Sequence, residues 1–178
     1  MNNPNKKYRK SIRAKWWDYG WNGAYFITIC TKEMQHFFGD IKDGKMILSN
    51  VGVIVDVLWH QIPLYHAFVE LGEFVVMPNH IHGILILDKP KEIIEELEKD
   101  ARMPVEKRLK EGQGKNTVSS IIGNYKSAVT KNVNRLGLAS KWQFRFHDHI
   151  IRNEKSYQRI SNYILTNVEN WEDDKFFN

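Results

Sequence analysis

The segment His80–Leu87 (HIHGILIL) constrains the fold of this chain more than any other stretch. With the two-residue period of a strand, His80, His82, Ile84 and Ile86 project to one side, and Ile81, Gly83, Leu85 and Leu87 to the other. A strand that is apolar on both faces belongs at the centre of a sheet, with a helix layer over at least one face. The rest of the chain supplies those partners. Gly23–Lys32 is rich in β-branched and aromatic residues and reads as a first strand. Asp43-Gly44 is a turn signal ahead of a short strand, Lys45–Leu48. Ser49 or Asn50 can cap a helix from about Val51 to Gln61, with Val51, Val55 and Leu58 on one face and Pro63 ending or kinking it. Ala67–Val76 reads as a strand broken at Gly72, and Pro78-Asn79 turns the chain into the histidine strand. Thr117 or Ser119 offers a cap for a helix over Val118–Leu136, and Trp142–Arg152 alternates as a further strand. Asn153 caps a last helix whose stripe is Tyr157, Ile160, Tyr163 and Ile164. This order predicts an α+β fold, with helices packed on a mainly antiparallel sheet.

At 178 residues the chain suits one domain spanning 1–178, with two distinctive segments. Residues 1–22 form a basic and aromatic arm, in which Lys6, Lys7, Arg9, Lys10, Arg13 and Lys15 precede Trp16, Trp17, Tyr19 and Trp21. Such a mixture can contact phosphates and stack on unpaired bases, or it can be a solvated tail leading into core aromatics. Residues 88–116 are dominated by Lys, Glu, Arg and Gly and read as a charged, flexible linker inside the domain. The formal charge of +5 favours partners with phosphate backbones. The apolar runs are too short to cross a bilayer, so no membrane association is expected, and the polar N-terminus has no apolar core of a secretory signal. The single cysteine, Cys30, excludes an internal disulfide and every multi-cysteine metal site, which suits a cytoplasmic protein.

Two features carry chemistry. At positions i and i+2 of a strand, His80 and His82 sit roughly 6.5–7 Å apart at Cα, close enough for two ring nitrogens to meet on one ion. Two imidazoles leave positions open for phosphate oxygens and water, so such an ion could polarise a phosphodiester. A His-x-His triplet alone is usually two ordinary polar positions. On an otherwise apolar face, however, two buried imidazoles are costly unless they find partners. The second feature is Tyr125, which follows Ile121 and precedes Val129 at four-residue spacing on the sheet-facing stripe of its helix. That placement fits a core tyrosine. It also fits a nucleophile, since Lys126, Lys131 and Arg135 give the helix a phosphate-friendly border and a phenol needs a cation or metal to attack at neutral pH. Both readings stand at this level.

Longer motifs narrow the field. Val75-Val76-Met77-Pro78-Asn79-His80-Ile81-His82-Gly83 resembles the signature V-hydrophobic-MP(N/D)H-x-H of the single-tyrosine HUH transposases, which include small insertion-sequence transposases and REP-associated tyrosine transposases. Ile121–Thr130 is similar to the nucleophile helix of that family. Trp142-Gln143, Phe146-His147-Asp148-His149 and Arg152 resemble the WQ…FHDH-x-x-R segment of its REP-associated branch, and Tyr163-Ile164 with Asn167 resembles its YI…N helix end. The resemblance runs from about Trp16 to Trp171. It implies a ferredoxin-like sheet with the HUH strand near its centre, a Mg²⁺ or Mn²⁺ ion on His80 and His82, and binding of single-stranded or hairpin DNA. It further implies a covalent 5′-phosphotyrosine on Tyr125 that frees a 3′-OH. The cations Lys126, Lys131, Arg135, Arg152, Arg13 and Lys15 are the expected DNA contacts. Insertion-sequence members often place a Gln or Asn ligand four residues after the tyrosine, where this chain has Val129. Glu73, Asn79, His147, Asp148 and His149 are therefore the candidates for a third ligand or support, the FHDH cluster first. A monomer is favoured over a homodimer. Two alternatives share these motifs: a domesticated hairpin-DNA-binding protein, and a metal-dependent DNA phosphodiesterase that uses water.

Overall fold

The computed structural model describes residues 21–93, 95 and 117–177; the basic arm with Arg13 and Lys15, and most of the charged segment 88–116, lie outside those residues. In chain order the elements are β1 (Gly23–Cys30), β2 (Gly39–Lys42), β3 (Lys45–Leu48), α1 (Asn50–His60), the single turn α2 (Ile62–Tyr65), β4 (Val69–Val76), β5 (His80–Leu87), α3 (Val118–Arg135), β6 (His147–Ile151) and α4 (Glu154–Leu165). The main sheet has the order β4-β5-β1-β6, and every neighbouring pair is antiparallel. With α1 and α3 as the two crossovers this is the ferredoxin-like βαββαβ arrangement, with β2 and β3 inserted as a separate hairpin. Among the described residues no helix is long and apolar enough to cross a membrane.

The reason β5 reads as apolar on both faces is its place between β4 and β1. It pairs with β1 along its whole length, from Gly23 opposite Leu87 to Cys30 opposite His80. On one face Ile81, Leu85 and Leu87 join Tyr25, Ile27 and Ile29 under α1 and α3, which contribute Val55, Trp59, Ile121, Ile122 and Val129. On the other, Ile84 and Ile151 pack with Phe26 and Val75 beneath Ile160 and Ile164 of α4. Gly83 belongs to the first face for a steric reason. A Cβ there would lie 2.3 Å from the Trp59 ring, which stacks on Phe74 with centroids 4.7 Å apart.

Local chemistry sets the helix starts. Ser49 accepts from the Gly52 N–H, Thr117 and Ser120 form a reciprocal capping box, and Asn153 accepts from the Ser156 N–H. The Asp43-Gly44 turn has both residues at positive φ, which suits a two-residue hairpin and pairs Lys45–Leu48 with Gly39–Lys42, a strand too short and polar to show in the pattern. The last strand is shorter than its pattern suggests. Trp142 makes an isolated bridge with Thr31, but the ladder with β1 begins only at His147; between them Lys126 Nζ takes the carbonyls of Gln143 (2.7 Å) and Phe144 (3.4 Å).

Candidate active site

β5 aims His80 and His82 at the α4 side of the sheet, where both are fully buried. Their Nε2 atoms are 3.1 Å apart. The tautomer of His80 follows from its surroundings. Asn79 Nδ2 donates to the Phe176 carbonyl (2.8 Å), so Asn79 Oδ1 is an acceptor, and the His80 Nδ1 that meets it at 2.8 Å must carry the proton. The Nε2 of His80 therefore presents a lone pair. His82 Nδ1 lies 2.8 Å from the Thr28 hydroxyl, which can accept or donate, so His82 Nε2 is free to present a lone pair as well. Burial drives the His80 pKa from 6.5 down to about 4, against the pull of Asp174 and helped by Lys175. Burial, then the neighbouring His80, holds His82 well below the usual imidazole range. Both rings are neutral at pH 7, the form that binds a metal. Two nitrogens at about 2.0–2.1 Å from one ion, in adjacent positions, stand roughly 2.9–3.4 Å apart, so the observed spacing fits a shared cation.

The helix α4 brings a tyrosine to this pair. The Tyr163 hydroxyl lies 3.1 Å from His82 Nε2 and donates to Asp174 Oδ2 at 2.8 Å. Burial, then the bond to Asp174 and that residue's charge, raises its pKa above the ordinary phenol value. Past α4, a 3-10 turn at Trp171–Asp173 returns the chain so that Asp174 faces back to the helix. Burial works to raise the Asp174 carboxyl, but the Phe176 N–H (2.7 Å), the Asn167 amide (3.0 Å) and the Tyr163 hydroxyl outweigh it and hold the pKa below the usual value. Ligand atoms of His80, His82 and Asp174 all lie within 4.8 Å of one another. Asn167 Oδ1 is buried and has no hydrogen-bond partner among the described residues, an orphan acceptor beside this cluster. Phe176, with its ring centroid 4.6 Å from that of His80, and Trp171 at 6.0 Å wall the histidines in. A cavity of about 340 Å³ opens onto Tyr163, Asn167, Asp174 and Lys175.

No family model matches the chain. An uncharacterised protein of Haemophilus influenzae is 37% identical over 174 residues, covering 96% of this chain and 93% of that protein. Among solved structures, a REP-associated tyrosine transposase bound to a REP hairpin superposes with a TM-score of 0.57 at 19% identity, over 89% of this chain and 72% of that one. The chain belongs to one family with the Haemophilus protein, and its fold is that of a REP-associated tyrosine transposase. This is the group that its motifs resemble.

Within this transposase fold several expected site residues fall elsewhere. Tyr125 is the main correction. It is 4% exposed, its hydroxyl donates to the Val55 carbonyl at 2.9 Å, and its ring meets Trp59 edge-on at 5.4 Å. The stripe Ile121–Tyr125–Val129 does face the sheet, but α3 lies on the Ile81/Leu85 face, so the sheet itself separates Tyr125 from His80 and His82. Lys126 braces the Gln143–Phe144 carbonyls and lies 5.8 Å over the Trp142 ring; burial lowers its pKa. Lys131 and Arg135 are exposed on α3, across the sheet from the histidines, and Arg152 is exposed just before the α4 cap. His147 and His149 pair with Thr28 and Phe26, which puts them on the histidine face, but they are exposed on the edge strand; Asp148 pairs with Ile27 and faces the other way. None of the three joins the cluster around His80 and His82. Glu73 lies in the irregular stretch of β4 and is not in that cluster either, while Asn79 supports it by fixing the His80 tautomer. The residues that sequence reasoning passed over are Tyr163, Asn167 and Asp174. Tyr163 and Asn167 did carry a signal: they stand four apart, the tyrosine-to-amide spacing that Tyr125 and Val129 lack.

Proposed function

We propose that the protein is a metal-dependent DNA transposase of the single-tyrosine type, with Tyr163 as its nucleophile. The observation that carries this reading is the Tyr163 hydroxyl, 3.1 Å from one of two convergent imidazoles and opening on a cavity. His80 and His82 would hold Mg²⁺ or Mn²⁺, with the Asn167 Oδ1 or the Asp174 carboxylate as third donor. When bound, the ion supplies positive charge that lowers the phenol pKa and polarises a non-bridging phosphate oxygen. The Tyr163 oxygen attacks phosphorus and the P–O3′ bond breaks. The phenolic proton passes to Asp174 Oδ2, to which it already points. A proton is returned to the departing oxygen, leaving a 3′-OH and a 5′-phosphotyrosine diester. That diester retains the energy of the broken bond, so attack by another 3′-OH rejoins DNA without ATP; water in place of Tyr163 would only hydrolyse. Hairpin DNA as substrate is supported by the REP hairpin in the transposase of similar fold. Action as a monomer is supported by the origin of Tyr163, His80, His82 and Asp174 in one chain.

The test is covalent capture. Labelled hairpin DNA with single-stranded flanks is mixed with protein and Mn²⁺, then denatured. Wild type and Tyr125→Phe should form the adduct and Tyr163→Phe should not. An adduct that survives in Tyr163→Phe ends this assignment, and cleavage without any adduct favours the water-using phosphodiesterase.

A further inference from the structure

The face of α4 that carries Tyr163 continues beyond the site. At 100° per residue, Lys155, Arg159, Asn162, Tyr163 and Thr166 fall within an arc of about 100°, and all five are exposed. Ile160 and Ile164, which pin the helix to the sheet, lie on the opposite side. Neither Lys155 nor Arg159 has an ion pair among the described residues; the nearest acid on the helix, Glu154, is held by Gln158 at 2.7 Å. Along the axis, Arg159 and Lys155 stand about 6 and 12 Å from Tyr163, steps that successive phosphates of an extended strand can follow. At the far end, Lys175 lines the cavity together with Asp173 and Asp174, so a cation stands there as well, beside the two carboxylates of the metal-binding end.

We propose that this face of α4 is a phosphate track for single-stranded DNA, in which Lys155 and Arg159 each neutralise one backbone phosphate of the strand whose scissile phosphate lies at Tyr163. The proposal rests on the reading of Tyr163 as the attacking group, but its test needs no chemistry. Binding of a labelled single-stranded oligonucleotide is measured by anisotropy from 50 to 300 mM NaCl in the Tyr163→Phe background. Each phosphate released from a single strand contributes about 0.7 to the slope of log K against log salt. The added pair Lys155→Gln/Arg159→Gln should therefore flatten the slope by about 1.4 and weaken binding at low salt. The pair Lys131→Gln/Arg135→Gln, on α3 across the sheet, should leave the slope unchanged. An unchanged slope in the α4 pair, or flattening in the α3 pair alone, overturns the track. A covalent adduct formed by Tyr163→Phe would instead strike at the nucleophile and leave the binding result standing.

Discussion

Acid should destabilise this fold through the two histidines, and the size of the effect can be worked from His80. Its pKa is about 4 folded and 6.5 unfolded. Below pH 6.5 the unfolded chain therefore binds a proton that the folded chain refuses, so the stability tied to His80 is lost as pH falls from 6.5 towards 4. At pH 5 the unfolded form is stabilised by roughly 2 kcal/mol relative to pH 7, and by about 3 kcal/mol once pH is below both values. His82, shifted the same way, adds to the loss. The groups facing the pair are Asp174 and Lys175, and Asp174 does not mask the effect, because its depressed pKa puts its own loss of stability below pH 4. Urea unfolding at pH 7 and pH 5 in EDTA measures it, with His80→Gln as reference. Wild type should lose about 2 kcal/mol more than the variant over that interval. Saturating Mn²⁺ should raise the unfolding free energy at pH 7, by about 2.7 kcal/mol at a hundred times Kd, and do far less at pH 5, where protons compete for the imidazoles. Equal losses in wild type and His80→Gln would refute the claim that His80 is buried neutral and ready to ligate.

Two further outcomes follow from the packing. Asn167→Ala should lower Mn²⁺ affinity about 10- to 100-fold, read by calorimetry, while leaving the far-UV spectrum unchanged; unaltered affinity removes Asn167 from the metal's surroundings. Gly83→Ala should cost roughly 1–3 kcal/mol in urea unfolding, because the new Cβ meets the Trp59 ring at 2.3 Å; a cost near zero means that the Trp59–Phe74 stack is not tight.

The central place of β5 and the helix caps were legible because they rest on local rules, whereas the ferredoxin-like sheet was expected only from the family resemblance. A strand apolar on both faces has to be central, and Ser49, Thr117 and Asn153 cap through bonds to residues three positions on. His80 and His82 were legible for the same reason, since i and i+2 on a strand share a face whatever surrounds them. What lay beyond sequence was which helix covers which face. Tyr125 and Tyr163 both sit on helices with an apolar stripe, and periodicity alone says only that each leans towards a sheet. Asp174 had no local signal at all. It reaches the site because the Trp171–Asp173 turn folds back over α4, a tertiary event with no periodic trace.

The parity of β5 turns that gap into a physical division of labour. Odd-numbered positions from Ile81 to Leu87 face α1 and α3, and there the buried hydroxyl of Tyr125 spends its only proton on the Val55 carbonyl. A phenol so placed has its pKa pushed well up by burial, then by the charge of Asp56, and is sealed from solvent among the core side chains. Even-numbered positions face α4, where the phenol of Tyr163 is 38% exposed and its proton points at a carboxylate. The two tyrosines thus differ in the one property that nucleophilic attack demands, a hydroxyl that can be reached and deprotonated. A single register step of β5 would exchange the two faces, so the same pairing that makes this strand the core of the fold also decides which tyrosine the histidines can meet.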